Sequence, residues 1–357
     1  MEIDKSFWKN RNVFITGHTG FKGGWMALCL SNLGANVFAY SLAPLNSNSF
    51  FAAIGLEEQL AKSSIANILD LENLTKEIRL SKASVIIHMA AQALVLESYK
   101  KPLDTFKTNI IGTLNIFEAA RYSENVRAII NITSDKCYEN FDWVWPYREN
   151  DRLGGHDPYS SSKACAELVS DCYQKSFFSS IDKYLATARA GNVIGGGDYA
   201  EDRLIPDIFR ALDNNKILNL RSPNSIRPWQ HVLEPVFGYL KLAEKLIKNK
   251  EKYAEAWNFG PHDSNNKSVL YIAEYFSQKF KNLKIYYDQN YINMEKKILK
   301  IDSTKSKSIL GWKNVWDIST ALDKTIEWYT AQRTNQNMLA VSLSQINSYS
   351  EKLENYI

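Results

Sequence analysis

Apolar residues in the first 195 positions fall in short runs separated by longer amphipathic stretches. Val13-Phe14-Ile15 is a compact run that stops at a glycine turn, the pattern of a buried strand. Residues 21–33 carry Trp25, Leu28, Cys29 and Leu33 at helical spacing. Asn36 to Tyr40, Val85 to Ile87, Ala128 to Ile132 and Tyr184 to Ala190 read as further strands. Leu103 to Ala120 and Tyr159 to Phe178 read as long helices between them. Strands that alternate with helices build βαβ units, so the pattern predicts an α/β fold with a doubly wound parallel sheet and right-handed crossovers. Beyond residue 195 the pattern loosens. Gly195-Gly196-Gly197-Asp198 is a turn. Short helices near 204–213 and 233–248 and short strands near 255–259 and 284–288 follow, with an amphipathic helix at 317–329. From Thr330 the chain is polar, and the pattern leaves open a docked terminal helix and a loose tail.

Length agrees with two domains, since 357 residues bury a large core without disulfide or metal. The expected division is 1–195 for a dinucleotide-binding domain, 196–330 for a smaller mixed α/β substrate-binding domain with some elements returning to the first, and 331–357 for the tail. Charge adds little: the formal net charge is +4 and the pI about 8.6, short of the clustered basic character of a nucleic-acid binder. No apolar run approaches the roughly 20 residues of a membrane span. The N-terminus lacks the apolar core of a signal peptide, so a cytoplasmic protein with no nucleic-acid or membrane partner is expected. Cys29, Cys137, Cys165 and Cys172 form no C-x-x-C pair and have no histidine cluster, which reads as reduced thiols and no metal site.

Two motifs carry chemistry. Gly17-His18-Thr19-Gly20-Phe21-Lys22-Gly23 has the spacing G-x-x-G-x-x-G between the first strand and first helix. Glycines there let backbone approach a pyrophosphate at a helix N-terminus, and Lys22 offers a cation. The acid that usually follows about 20 residues on for the ribose hydroxyls is missing from Ala39-Tyr40-Ser41-Leu42-Ala43, and so is an Arg for a 2′-phosphate. This position therefore does not choose between NAD and NADP. Asp70-Leu71, after a probable strand, reads equally as an adenine-edge contact and as a helix N-cap. Tyr159-Ser160-Ser161-Ser162-Lys163 is Y-x-x-x-K, which puts both side chains on one helix face. The ammonium of Lys163 is expected to lower the phenol pKa and make Tyr159 a general base.

These motifs, with NITSDKCYEN, YREND, LGGHDPYSSSKACAEL, RAGNVIGGGD, DRLIPDI, SIRPWQHVLEP and WNFGP, resemble the extended short-chain dehydrogenase/reductases of the nucleotide-sugar dehydratase/epimerase group. Within it the chain is similar to the CDP-glucose 4,6-dehydratase branch, from residue 7 to about 260 and again at 302–312. The resemblance implies a Rossmann-type domain, NAD, a nucleotide-sugar substrate, and a homodimer or homotetramer paired through the two long helices. It also implies lyase chemistry in deoxysugar and lipopolysaccharide O-antigen biosynthesis. It assigns catalysis to Ser134, Asp135, Lys136, Tyr159 and Lys163, with Asp135 as the acid at O6 and Lys136 as the base at C5. Both then need pKa values moved toward neutrality. Ala90, Ala91, Gln92, Asn109 and Thr133 join the cofactor cradle, and Asn192, Arg203, Leu204, Ile205, Arg227 and His231 the substrate site. His231 and His88 also fit purely structural roles. Trp143, Trp145 and Tyr147 fit either packing or sugar stacking. The chain departs from the branch at Met294-Glu295-Lys296, which bears on base and sugar specificity. A 4,6-dehydratase for another nucleotide sugar, a 4-epimerase and a non-catalytic cofactor-binding protein are the competing expectations. Epimerases have no need of Asp135-Lys136, and binding proteins on this fold commonly lose the Tyr or Lys.

Overall fold

The computed structural model describes residues 1–287 and 297–355. Seven strands form one parallel sheet: β1 (Asn12–Thr16), β2 (Asn36–Ser41), β3 (Lys62–Ile65), β4 (Val85–His88), β5 (Ala128–Ile132), β6 (Tyr184–Ala190) and a seventh, Ala256–Phe259, in the order seventh-β6-β5-β4-β1-β2-β3. The chain winds outward from β1 through β2 and β3, then returns to start again at β4. The crevice between β1 and β4 is therefore the switch point at which ligands bind in such sheets.

Successive side chains of a strand face opposite ways, so each central strand feeds two cores. Val13, Ile15, Val85, Ile87, Ala128 and Ile130 pack on one face with Trp25, Leu28 and the helix Leu233–Asn249. Phe14, Ile86, Ile129 and Leu185 pack on the other with Leu74, Ile78, Ile116 and Phe117. That two-sided burial explains the continuous apolar runs.

Beyond β6 the chain adds β7 (Asn192–Ile194), β8 (Ile217–Asn219) and β9 (Ile226–His231). β9 lies between β7 and Asn266–Ser268, and β8 pairs with Lys284–Tyr286. Ala256–Phe259, within the stretch from which some elements were expected to return to the first part, extends the main sheet parallel to β6, with Trp257 and Phe259 fully buried.

The terminal region is a docked helix, Met338–Asn355. Ser342 accepts from Trp328 Nε1 at 2.9 Å, Gln345 donates to the Lys324 carbonyl at 2.8 Å, and the Tyr349 hydroxyl donates to Glu234 at 2.8 Å. All four cysteines are free thiols. Among the described residues no helix is long and apolar enough to cross a membrane, and no cluster of three or more His, Cys, Asp or Glu is placed to hold a metal.

Candidate active site

One cavity of about 650 Å³ runs from the β1 turn, across the carboxyl ends of β4, β5 and β6, to the segment around β8 and β9. At its first end the wall is largely backbone. Gly17 has φ +83°, and a Cβ there would lie 2.7 Å from the Ala90 amide nitrogen. A Cβ on Gly23 would lie 2.1 Å from the Gly17 carbonyl oxygen. The turn thus closes against both the start of the helix Phe21–Asn32 and the loop after β4, and only glycine fits. Thr19, Gly20, Phe21, Lys22, Ala90 and Ala91 line this end. Lys22 is held down to about 8 by burial, reinforced by Arg203 and Lys163 and opposed by Asp135.

His18 points the other way, bonded through Nε2 to the Ser63 hydroxyl at 2.9 Å and lowered to about 4 by burial. Asp70 caps the helix Leu71–Ser81 by accepting from Asn73 N at 3.0 Å, so the N-cap reading holds for it. Leu71 is on that helix, outside the cavity wall. The residues that line the wall there are Ala66, Asn67 and Ile68. The end of β2 presents Ser41, whose hydroxyl bonds Thr19 at 2.8 Å, where an acid was sought.

Gln92 and Asn109 are braces for the lining. Asn109 sits in a π turn at Lys107–Ile111; its Oδ1 accepts from Gln92 N at 2.8 Å and its Nδ2 donates to Gln92 O at 3.0 Å and to Ser162 Oγ at 2.8 Å. It therefore ties the loop after β4 to the helix of Tyr159. His88 is likewise structural, bonded to Thr16 at 2.7 Å and Thr113 at 3.1 Å and lowered to about 3 by burial.

The chemical centre lies where β5 ends. Thr133, Ser134, Asp135, Lys136, Tyr159 and Lys163 all line the cavity. Asp157 caps the helix Pro158–Tyr173 by accepting from Ser160 N, and Pro158 opens its first turn. Ser134 Oγ donates to Asp135 Oδ1 at 3.1 Å and accepts from Lys136 N at 3.2 Å. Asp135 is 3% exposed, and its Oδ2 is buried without a partner. Burial raises its pKa, against the pull of Lys136, Ser134, Arg227 and Lys22. An acid that must stay protonated needs that environment.

Tyr159 corrects an expectation. Its phenol is pushed up to about 12, because burial outweighs the Ser134 hydrogen bond and the charge of Arg203 that favour the phenolate. Lys163, expected to lower it, donates instead to the Ile132 carbonyl at 3.2 Å and is itself lowered to about 8 by burial.

At the far end Asn192, Arg203, Leu204, Ile205 and Arg227 line the cavity. Arg203 pairs with Asp198 at 2.9 Å, and the Asp198 carbonyl accepts from the Tyr329 hydroxyl. Arg227 Nη1 donates to the carbonyls of Ile226 at 2.9 Å and Lys297 at 3.4 Å. His231 is not brought here: it is fully buried, accepts from Leu233 N at 3.3 Å and packs edge-on against Trp316. Tyr147 stacks on Tyr138 and on Trp143 outside the lining, so those rings are packing, while Trp145 is exposed and meets Trp143 edge-on. Met294-Glu295-Lys296 lies outside the described residues. Sequence reasoning passed over Asp198 and Leu218 to Ser222, which also line this end. The chain's return through β8 brings Leu218 to Ser222 there, with no local pattern to mark it, whereas Asp198 follows β7 and is held by its ion pair with Arg203.

Comparison with known proteins places this arrangement. Residues 14–325 match the family described as GDP-mannose 4,6 dehydratase. The chain is 44% identical, over 97% of its own length and 98% of the relative's, to CDP-glucose 4,6-dehydratase of Salmonella typhimurium. A UDP-glucose-4-epimerase from Stenotrophomonas maltophila, solved with NAD and formylated UDP-arabinopyranose, shares the fold at TM-score 0.78 and 19% identity, covering 91% of this chain and 100% of that one. The epimerase Mth375 from Methanothermobacter thermautotrophicus shares it at TM-score 0.79 and 21% identity, covering 92% and 95%.

Proposed function

Because the chain belongs to the GDP-mannose 4,6 dehydratase family, we propose that it is an NAD-dependent nucleotide-sugar 4,6-dehydratase that converts CDP-glucose to CDP-4-dehydro-6-deoxyglucose and water. The observation that carries this reading is the carboxyl–amine pair Asp135-Lys136 in one cavity with Tyr159. The 44% identical relative supports the CDP-glucose assignment.

NAD fits the backbone-walled end, where the cradle of Gly17 and Gly23 has no room for a Cβ, and a dinucleotide's pyrophosphate would meet the N-terminus of the helix Phe21–Asn32. Bound there, NAD supplies the hydride acceptor for sugar C4 and the hydride donor for C6. Gly17, Gly20 and Lys22 hold it, with Ala90 and Ala91 beside them.

Tyr159 takes the C4 hydroxyl proton; burial holds its phenol up, and the Ser134 hydroxyl and the charge of Arg203 act against that shift. A ketone at C4 acidifies the C5 proton; Lys136 removes it, and the ammonium so formed returns a proton to C5 when hydride reaches C6. Asp135, raised by burial, gives its proton to the departing C6 hydroxyl. Arg203 and Arg227 hold the pyrophosphate through charge-assisted hydrogen bonds.

The helices that carry this chemistry, or pack beside it, leave Leu103, Ile111 and Leu168 exposed, with Tyr99 nearby. These residues support two-fold pairing into a homodimer or a homotetramer built as a dimer of dimers, and light scattering at micromolar concentration tests it. The setting proposed is the cytoplasm, with the product a deoxysugar precursor for lipopolysaccharide O-antigen.

The test of the activity is a mass spectrum of CDP-glucose before and after incubation with enzyme and NAD, with UDP-, dTDP- and GDP-sugars in parallel. Loss of one water from CDP-glucose supports the reading. Loss of water from a different nucleotide sugar alone moves the specificity, and turnover at unchanged mass makes the protein an epimerase.

A further inference from the structure

A fully buried ion pair stands behind the catalytic segment. Glu167 and Arg189 are 2% and 3% exposed in their side chains and meet through two bonds, Nε to Oε1 at 2.9 Å and Nη2 to Oε2 at 2.8 Å. Glu167 also accepts from the hydroxyls of Thr133 and Thr187, the latter at 2.7 Å. Arg189 Nη1 donates to the Tyr138 hydroxyl at 2.8 Å and the Glu149 carbonyl at 3.0 Å. The Tyr138 hydroxyl in turn donates to Asn258 Oδ1 at 2.7 Å. Desolvating two charges costs several kcal/mol each, and well-packed apolar residues often serve stability as well or better. Stability alone is thus a weak reason for such a pair.

Its placement supplies a stronger one. Thr133 is the residue before Ser134-Asp135-Lys136, and Tyr138 comes two residues after Lys136. The pair therefore grips the catalytic segment at both ends. Glu167 is also one turn beyond Lys163 and two beyond Tyr159 on the same helix. One ion pair joins the end of β5, the catalytic helix and β6.

We propose that Glu167 and Arg189 are positioning residues for the dehydratase reaction: they fix Asp135 and Lys136 relative to Tyr159, and Glu167 is the anion that keeps Lys163 charged. This rests on the activity proposed above. Burial lowers Lys163, and among the groups that face it Glu167 opposes that shift most, followed by Cys137 from the catalytic segment. His88 from β4 and Lys22 from the first turn also face it. Burial holds Cys137 as a thiol and His88 as a neutral imidazole, which leaves Glu167 as the counter-charge.

The test uses full-length enzyme and three variants: Glu167→Gln, the double change Glu167→Leu with Arg189→Met, and Tyr138→Phe. The double change fills the space with apolar volume and keeps the protein folded should Gln leave Arg189 stranded. Lys163 is titrated directly, by its reactivity toward an acylating reagent against pH with peptide mass spectrometry, which reads the residue whether or not substrate turns over. The expected midpoint falls by roughly one pH unit in both Glu167 variants and stays put in Tyr138→Phe. In turnover of CDP-glucose, kcat falls roughly 10- to 100-fold in all three while KM changes little, because the substrate contacts are untouched. A folded double variant with the wild-type Lys163 midpoint and wild-type kcat overturns the proposal. If wild-type enzyme removes no water from CDP-glucose, the activity reading fails instead, and the Lys163 titration still decides the electrostatic part.

Discussion

Where the cavity begins, at the β1 turn, its wall is backbone and small apolar side chains: Gly17, Gly20, Gly23, Ala66, Ala90 and Ala91. Where it ends, beyond β6, it is lined by Asp198, Glu201, Asp202, Arg203, Asp207, Arg221 and Arg227. Shape selects the ligand at the first end, because a single added methyl meets backbone. At the second the lining is of mixed sign, four acids and three arginines, and we propose that Arg203 and Arg227 among them meet a nucleotide sugar's pyrophosphate. Between them lies a buried zone in which Asp135 and Tyr159 are both pushed upward by loss of water. The difference predicts different failures. Damage at the first end abolishes cofactor binding, damage at the second raises KM, and damage between them stops chemistry with both ligands bound.

The largest effect is expected at the junction. Tyr159→Phe removes the base for the C4 hydroxyl, and kcat falls about 10²- to 10⁴-fold with NAD affinity kept. Steady-state rates beside an NAD titration check this, and a KM effect alone would move Tyr159 out of the chemistry. Lys136→Ala separates the two halves of the reaction. Oxidation remains available, so reduced nicotinamide absorbance builds up on addition of CDP-glucose while no dehydrated sugar appears. Normal turnover by this variant assigns the C5 base elsewhere.

Gly23→Ala attacks the backbone end. Its Cβ would sit 2.1 Å from the Gly17 carbonyl, so the turn must open, at about 1–3 kcal/mol of stability. Calorimetric titration should then show NAD binding weakened at least roughly tenfold, following from the same strain. Arg203→Met attacks the charged end. Its ion pair with Asp198 is partly exposed, and the expected result is KM for CDP-glucose up roughly tenfold with a smaller fall in kcat, because its charge also opposes the upward shift of Tyr159.

A separate effect, on stability and not on turnover, is expected against pH. His18, His88 and His231 are lowered by burial to about 4, 3 and 3 in the folded protein, from 6.5. A depressed folded pKa gives stability that is full above the unfolded value and is lost as pH falls toward the folded one. Each imidazole then costs up to about 1.4 kcal/mol per pH unit over that range. The melting temperature should decline steadily from about pH 6.5 to pH 4. A flat profile would mean that these rings are not held neutral.

The backbone end was the more legible in the sequence, since strand, turn and helix are consecutive and glycine spacing reports close approach. Tyr159 and Lys163 were legible for the same local reason, whereas Ser134-Asp135-Lys136 came only from the family resemblance. Asp70 was not resolved, because an N-cap and a ribose or adenine contact ask for the same side chain. Leu218 to Ser222 were missed, because tertiary return alone brings them to the cavity, and Asp198, five residues before Arg203, was read only as the end of a glycine turn. The tail was undecided because Ser342, Gln345 and Tyr349, which anchor its helix, are polar residues that only partners elsewhere in the chain can bury. The direction of the Tyr159 shift was wrong for a related reason: Y-x-x-x-K places Lys163 on the right face, but burial and the Ile132 carbonyl are invisible to spacing.

The central claim is that one cavity oxidises C4, eliminates across C5 and C6, and returns the same hydride. CDP-glucose carrying deuterium at C4, turned over by the enzyme with unlabelled NAD, tests it most directly. The account predicts a product lighter by one water that retains the deuterium, now at C6. A product that has lost the label to solvent, or that keeps its water with the deuterium still at C4, would contradict it.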